Sequence, residues 1–413
     1  GGASINAIRA ARASGHTGSI RVISDTEGPA FNPMLSPYYL DGKIPFNECF
    51  PFGMEFYERH GVTCQFGSIA EKLDPVKKEV YLETGECHTY DKCLIATGAS
   101  PILLNIPGLR DSPRVLTLRT VEDTTRLYEA VSTVKNVVIL GASLVGVKLA
   151  EILNRRGIAV TLVDVANQIL PNAVHPDGAL LMAKHITGSG VDLRLGWMLE
   201  STKDEGKSIN LHFQNKQCLR TDLCVACTGV RPNLSFLSPS DVQIDQGILV
   251  DDRMCTSAEG LYAAGDVSQG TNLLSGKKEI IGLWGNACYQ GRTAGINMAG
   301  GDCCYYGAIP DHISTLFGIN FVHLGDINRQ GKDVLRLSNK SAADNGMNIL
   351  FVFEEGALVG ANLMNCYQHA GKLRSTMIRK LDWSEHLHHL AENPTSREID
   401  RILYALNTER PIQ

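Results

Sequence analysis

NVVILGASLVGVKLAEILNRRGIAVTLVD, residues 136–164, decides the fold. A β-branched run, Val137 to Leu140, enters Gly141-Ala-Ser-Leu-Val-Gly146, and that turn opens a helix. A second apolar strand, Ala159 to Val163, ends on Asp164. The acid falls 23 residues after Gly141 (164 − 141), the spacing at which a carboxylate on the second strand tip meets a ribose diol. Glycines permit the tight turn and let backbone approach a pyrophosphate, while the helix N-terminus offers unpaired N–H groups to the anion. Strand, turn, helix, strand and acid together predict a dinucleotide-binding βαβ unit. One position departs from the three-glycine pattern: Ser143 stands second, which predicts binding at a slightly wider approach.

A second signature opens the chain at GGASINAIRAARASGHTGSIRVISDTEG. Gly1-Gly-Ala-Ser4 followed by Ile5, Ala7 and Ala10 reads as the back half of a Gly loop entering a helix. A strand, Ser19 to Ile23, follows, with Asp25 as the matching ribose acid. No strand precedes the loop, and a parallel sheet lacking its central strand leaves ladder groups unpaired. The expectation is a natural start roughly ten residues earlier, one strand's worth.

The bulk composition narrows the class. The 413 residues suggest two or three domains, and 44% apolar with 20% charged residues is ordinary for a globular protein. A net charge of −5 gives no reason to expect nucleic acid or an anionic membrane as partner. No apolar run approaches a membrane span. Twelve cysteines are scattered without framework spacing, which suits reduced thiols and a cytoplasmic setting.

Three apolar strands each run into a Gly turn: DKCLIATGASP (91–101), LCVACTGVRPN (223–233) and GLYAAGDVSQ (260–269). With these in place the chain resembles the FAD-dependent pyridine nucleotide oxidoreductases that carry two dinucleotide-binding domains. It is most similar to their ferredoxin- and rubredoxin-reductase-like branch and to the flavin part of NADH nitrite reductases. The stretches that carry this are FNPMLSPYYLDG (31–42), YDKCLIATGASP (90–101), IPG (106–108), LRTVEDTTRL (118–127), CTGVRPN (227–233), YAAGDV (262–267) and W-x3-C-x-QGRTAGINMAG (284–300).

The resemblance implies an α/β fold with two nested doubly wound nucleotide-binding domains and a C-terminal α+β domain. Its implied boundaries are an FAD-binding domain over 1–112 (first strand missing) and 237–305, an NAD-binding domain over 113–236, and the C-terminal domain over 306–413. The residues expected at FAD are Gly1, Gly2, Ser4, Asp25, Pro37, Thr97, Gly98, Gly265, Asp266, Val267 and Trp284. Asp266 would hydrogen-bond the ribityl chain, and Val267 would offer a backbone N–H at the flavin edge. Those expected at NAD are Gly141, Ser143, Gly146, Asp164 and Gly229, and Asp164 with no Arg in Val165-Ala-Asn predicts NADH over NADPH.

Departures from the relatives matter as much. Where thiol-dependent members place a cysteine, after Leu-Ser, this chain has Pro37; the next thiol, Cys49, lies twelve residues on. In the ferredoxin-reductase-like relatives a Lys follows Leu-Ser and a Glu follows the second Gly loop. Here Pro37 and Lys148 stand there, which predicts a cation moved to the other wall and makes Lys148 the candidate catalytic residue. Cys224-x-x-Cys227 lies on an apolar strand and reads as core, Cys303-Cys304 as a domain junction, and Glu385-His-Leu-His-His389 as a solvated helix face. No Fe–S ligation pattern is present.

The tail carries no nucleotide signature. HISTLFGINFVHLGD, MNILFVFEEGALVGANLMN and AGKLRSTMIRKL predict two or three antiparallel strands and a helix, with a hairpin at Glu354-Glu-Gly356. The resemblance makes this a dimer- or partner-contact domain, within a homo- or hetero-oligomer. The implied function is an NADH:acceptor reductase subunit that passes electrons through FAD to a separate redox protein or an Fe–S or metal-containing subunit. The alternatives are a thiol-dependent NADH oxidase or peroxidase using Cys49, and a flavoprotein whose cofactors only stabilise a scaffold.

Overall fold

The computed structural model describes residues 1–238, 240–329, 333–338, 347–393 and 395–408. The fold is α/β, and the chain divides into two compact units, each assembled from three separate stretches. One comprises Gly1–Ile102, Thr117–Glu129 and Gly229–Ala308; the other comprises Leu103–Leu116, Ala130–Thr228 and Ile309–Gln413.

In the first unit the helix Gly2–Ala13 packs along the helix Trp284–Met298. Small residues make this possible. Gly291 and Gly295, four apart and therefore on one face, meet the backbone of Ala3 and Ala7. The pairs advance together along both chains, so the helices run parallel and their N-termini open at the same end. The second helix closes on a Schellman turn: Gly300 N–H donates to the Asn297 carbonyl at 3.1 Å and Gly301 N–H to the Ile296 carbonyl at 3.0 Å, with Gly300 at φ +93°. Strand Ile20–Ile23 pairs parallel with Val62–Gln65, and Cys93–Ile95 pairs parallel with Leu261–Ala263. A three-stranded meander spans Ala70–Asp74, Glu79–Leu82 and Cys87–Thr89.

In the second unit five parallel strands lie in the order Asp192–Leu195, Ala159–Asp164, Asn136–Leu140, Leu223–Ala226, Val115–Leu116. The central strand Asn136–Leu140 is buried over its last four residues, as a strand covered on both faces must be. The same unit holds an antiparallel sheet of five strands, ordered Asp311–Leu316, Ile319–Gly325, Ala357–Met364, Asn348–Glu354, Asp333–Ser338. Three helices follow: Ala370–Ile378, Ser384–Glu392 and Ser396–Thr408.

This C-terminal sheet is larger than the two or three strands and one helix expected. The predicted hairpin is there, with Glu355 at φ +51° and Gly356 at φ +77° between paired Glu354 and Ala357. The first quoted stretch is itself a hairpin, Asp311–Leu316 against Ile319–Gly325, the latter buried at six of seven positions, and Asp333–Ser338 is a strand that the sequence reading did not name. Phe351, Phe353 and Trp383 fill the sheet's core with ring centroids 5.8–6.0 Å apart.

Two histidines face each other across this sheet, His312 opposite His323. Burial pushes the His312 imidazole down to about 4, helped by neighbouring His323, and burial also lowers His323. Both folded values lie below the unfolded one near 6.5, so the unfolded chain takes up protons that the sheet refuses. Stability is therefore full above pH 6.5 and falls as pH drops toward 4. At about 1.4 kcal/mol per pH unit, His312 alone should cost about 2–3 kcal/mol between pH 7 and pH 4.5. Urea unfolding at the two pH values should show His312→Gln losing that much less than the parent; equal losses would refute the assignment.

Candidate nucleotide-binding sites

In the second unit the Gly loop is built around two glycines that cannot be replaced and one serine that is not a defect. Gly141 sits at φ +107°, and a Cβ there would run into the Cys227 carbonyl. A Cβ on Gly146 would overlap the Gly141 carbonyl. Ser143 has φ −72°, which needs no glycine, and it caps the helix Leu144–Arg155. Its Oγ accepts the Gly146 N–H at 3.3 Å and donates to the Cys227 carbonyl at 3.1 Å. The side chain thus turns inward to the next strand.

Asp164, at the end of its strand, accepts the Ala142 N–H at 2.6 Å on Oδ2 and the Ala166 N–H at 2.8 Å on Oδ1. Each oxygen keeps a second lone pair for an outside donor. The acid is therefore oriented by the loop it would serve.

In the first unit Thr97 and Gly98 begin an antiparallel ribbon, Ala99–Pro101 against Val230–Pro232. Gly98 and Gly229 adopt φ +65° and +101°. Asn233, unassigned from the sequence, locks the turn: its N–H donates to the Gly98 carbonyl and its side-chain amide to the Thr97 carbonyl, both at 3.0 Å. Thr97 Oγ1 returns a bond to the Asn233 carbonyl at 3.0 Å.

Gly265 turns at φ +83°, with its N–H held by Gln290 Oε1 at 2.7 Å. The next residue, Asp266, receives Arg119 Nη2 at 2.6 Å, and both side chains are largely buried. Arg119 was also missed; it lies inside the quoted LRTVEDTTRL stretch, and only the fold reveals its partner. Val267 is 0% exposed, and its carbonyl accepts the Ile248 N–H at 2.9 Å. At the shared helix ends, the Trp284 ring and Cys288 Sγ lie where a Cβ on Gly2 would come within 3.3 and 3.1 Å. Ser4 Oγ donates to the Gly1 carbonyl at 3.0 Å. Asp25 follows its strand, exposed, and accepts from Thr26 Oγ1 at 3.4 Å. Two parallel helix N-termini suit a pyrophosphate, and the Asp266 carboxylate suits hydroxyl donors, so this cradle fits FAD.

Lys148 is placed otherwise than as a free cation. Its ammonium bonds Glu151 Oε2 at 2.7 Å and the Thr315 carbonyl at 2.8 Å, using two of its three donors inside its own unit. Pro37 is the second residue of the short helix Ser36–Leu40, and Ser36 beside it is buried, accepting from Thr124 Oγ1 at 2.9 Å. Cys49 is 0% exposed, and burial, then Glu48, raises its pKa. Cys224 and Cys227 are buried, the latter pushed up to about 12. Cys303 is tied through N–H and carbonyl to the Asn297 side chain, both at 2.8 Å. His389 pairs with Glu398 at 3.1 Å. None of the twelve cysteines forms a disulfide, and Cys87 and Cys218 are the exposed ones. Among the described residues no helix is long and apolar enough to cross a membrane.

Over residues 1–291 the chain matches the pyridine nucleotide-disulphide oxidoreductases. It belongs to this family. A relative in Aromatoleum evansii, the NADH-dependent phenylglyoxylate dehydrogenase subunit epsilon, is 30% identical over 404 residues, 96% of this chain and 94% of its own. Rubredoxin-NAD(+) reductase of Pseudomonas putida is 26% identical over 376 residues, 90% of this chain and 96% of its own. The solved NADH-bound water-forming NADH oxidase of Lactobacillus brevis shares the fold at TM-score 0.88 and 23% identity, covering 97% of each chain. As a member of the family, the protein is an FAD-containing, NADH-dependent oxidoreductase.

Proposed function

We propose that this oxidoreductase is a reductase subunit that passes electrons between NAD(H) and a separate redox protein or an Fe–S or metal-containing partner subunit. The observation that carries the reading is the site of the missing relay: Pro37 stands where a thiol would, and Cys49 is fully buried with a raised pKa. A protonated, enclosed thiol is a poor nucleophile, so disulfide and peroxide chemistry lacks its covalent step. The names of the two curated relatives, a dehydrogenase subunit and a rubredoxin reductase, support an external acceptor. Flavin suits such a task because it takes up a hydride and releases electrons one at a time.

In this reading Gly141, Ser143, Gly146 and Asp164 hold NAD(H). Gly1, Gly2, Ser4, Asp25, Pro37, Thr97, Gly98, Gly265, Asp266, Val267 and Trp284 hold FAD. Arg119 orients the Asp266 carboxylate, and Asn233 sets the Thr97–Gly98 turn. Exposed Tyr38 lies on the Pro37 helix, Met34 just before it, and Tyr128 stacks on its Tyr39 with ring centroids 4.6 Å apart, and together they offer apolar surface to a docked protein.

Cys49→Ser, and alkylation of the exposed Cys87 and Cys218, should each leave NADH-driven reduction of an artificial dye within about twofold of the untreated protein. Disulfides and peroxide should be turned over slowly throughout. Fast disulfide or peroxide reduction that disappears in Cys49→Ser would overturn the proposal.

A further inference from the structure

The C-terminal sheet grips the chain segment that follows Asp164. Asn362 lies on the central strand Ala357–Met364 and is 3% exposed. Its amide nitrogen donates to the Ala173 carbonyl at 2.9 Å, and its oxygen accepts the His175 N–H at 2.8 Å. One buried side chain thus satisfies two backbone groups of a stretch that belongs to no sheet. Asn328 adds a second clasp, donating to the Pro171 carbonyl at 2.8 Å. Met364 closes over Gly178, where a Cβ would come within 2.7 Å of its methyl.

The gripped stretch is joined to the Gly loop. Leu170, buried and at φ +48°, donates its N–H to the Ala142 carbonyl at 2.9 Å. Ala142 N–H in turn donates to Asp164. The Ala173 and Val174 N–H groups both return to the Leu170 carbonyl at 2.9 Å, so the backbone runs as one turn from Leu170 to the residues Asn362 holds. Asp164 and the N–H groups of its loop therefore sit on a support whose far end is fixed by the C-terminal sheet.

We infer that Asn362, seconded by Asn328, is a positioning residue for dinucleotide binding, and that the C-terminal module sets the affinity for NAD(H) through the Leu170–His175 turn. The inference rests on the reading of Gly141–Asp164 as the NAD(H) site. It assigns this module a role besides partner contact. Without these two bonds from Asn362 the turn would drift, and with it the carboxylate that meets the ribose.

The test uses the full chain with FAD bound, NADH and an artificial dye. Asn362→Leu should raise KM for NADH by about tenfold, one to two hydrogen bonds' worth, while kcat at saturating NADH changes by less than about twofold. Calorimetric titration with NAD+ should show the same weakening, and Asn328→Ala should show about threefold, as suits an exposed single bond. Flavin content should match the parent in both. A purely structural role would lower the melting temperature and leave KM and the NAD+ affinity where they were, and that result overturns the inference. If Asn362→Leu fails to fold, Asn328→Ala decides by the same two readouts. Asp164→Ala separates the two levels: it should weaken NADH by about tenfold and narrow the preference over NADPH. If it does neither, the site reading falls; if it does both while the Asn variants bind normally, only the positioning role falls.

Discussion

Replacing Gly291 by Val should cost the protein about 3 kcal/mol, at the upper end of overpacking penalties, and should strip it of flavin. The helix itself would welcome the change, since Val is better than Gly in a helix interior by a few tenths of a kcal/mol. Contact decides the sign. A Cβ at Gly291 would lie 2.6 Å from Ala3 Cα, and one at Gly295 would lie 2.7 Å from Ala7 Cα; neither neighbour is a flexible side-chain tip. Both helices would have to part, and their N-termini are the end at which the FAD cradle is proposed. Against a typical total stability of about 5–15 kcal/mol, such a loss is a large fraction. Thermal melting and flavin absorbance of the purified variant measure it. Gly371→Ala is the control: that helical glycine has nothing within 4 Å of its would-be Cβ, so the change should be neutral or stabilising by up to about 1 kcal/mol. A Gly291→Val protein that melts with the parent and keeps its colour would show that the helix pair is looser than described.

Asp266→Ala should weaken FAD by about 10- to 150-fold, the range spanned by losing 1.5–3 kcal/mol of hydrogen bonding to a charged acceptor. The effect has two parts. The carboxylate that accepts from a ligand hydroxyl is removed, and Arg119, held at 2.6 Å, is left with an unpaired charge in a largely enclosed place. Asp266→Asn keeps the shape and one acceptor oxygen, so it should fall between parent and Ala. Fluorescence titration of flavin-stripped protein gives the three dissociation constants. An Ala variant that binds FAD within about twofold of the parent would remove Asp266 from the site.

The βαβ core was legible because its physics is local. Gly141 and Gly146 announce a turn and a close approach, Asp164 ends a strand, and the structure finds the turn, the strands and the helix where the spacing put them. Ser143 shows the limit of the pattern: it stands at a glycine position, and its side chain also caps the helix and bonds the Cys227 carbonyl, a contact made across 84 residues. Arg119 and Asn233 were invisible as site candidates for the same reason, since each is defined by a partner more than a hundred residues away. Lys148 was singled out from its place in the motif, but its partners, Glu151 and the Thr315 carbonyl, include a strand that sequence spacing does not relate to it. The C-terminal sheet was undercounted because strands buried on both faces do not alternate.

The two exposed thiols have a practical use. Cys87 opens a strand of the meander in one unit, and Cys218 opens a hairpin strand in the other. A brief, limiting dose of a thiol-reactive fluorophore pair should favour these two handles over the ten less accessible sulfurs. Energy transfer between the labels would then report in real time whether one unit shifts against the other as NADH is added, without introducing a single engineered residue.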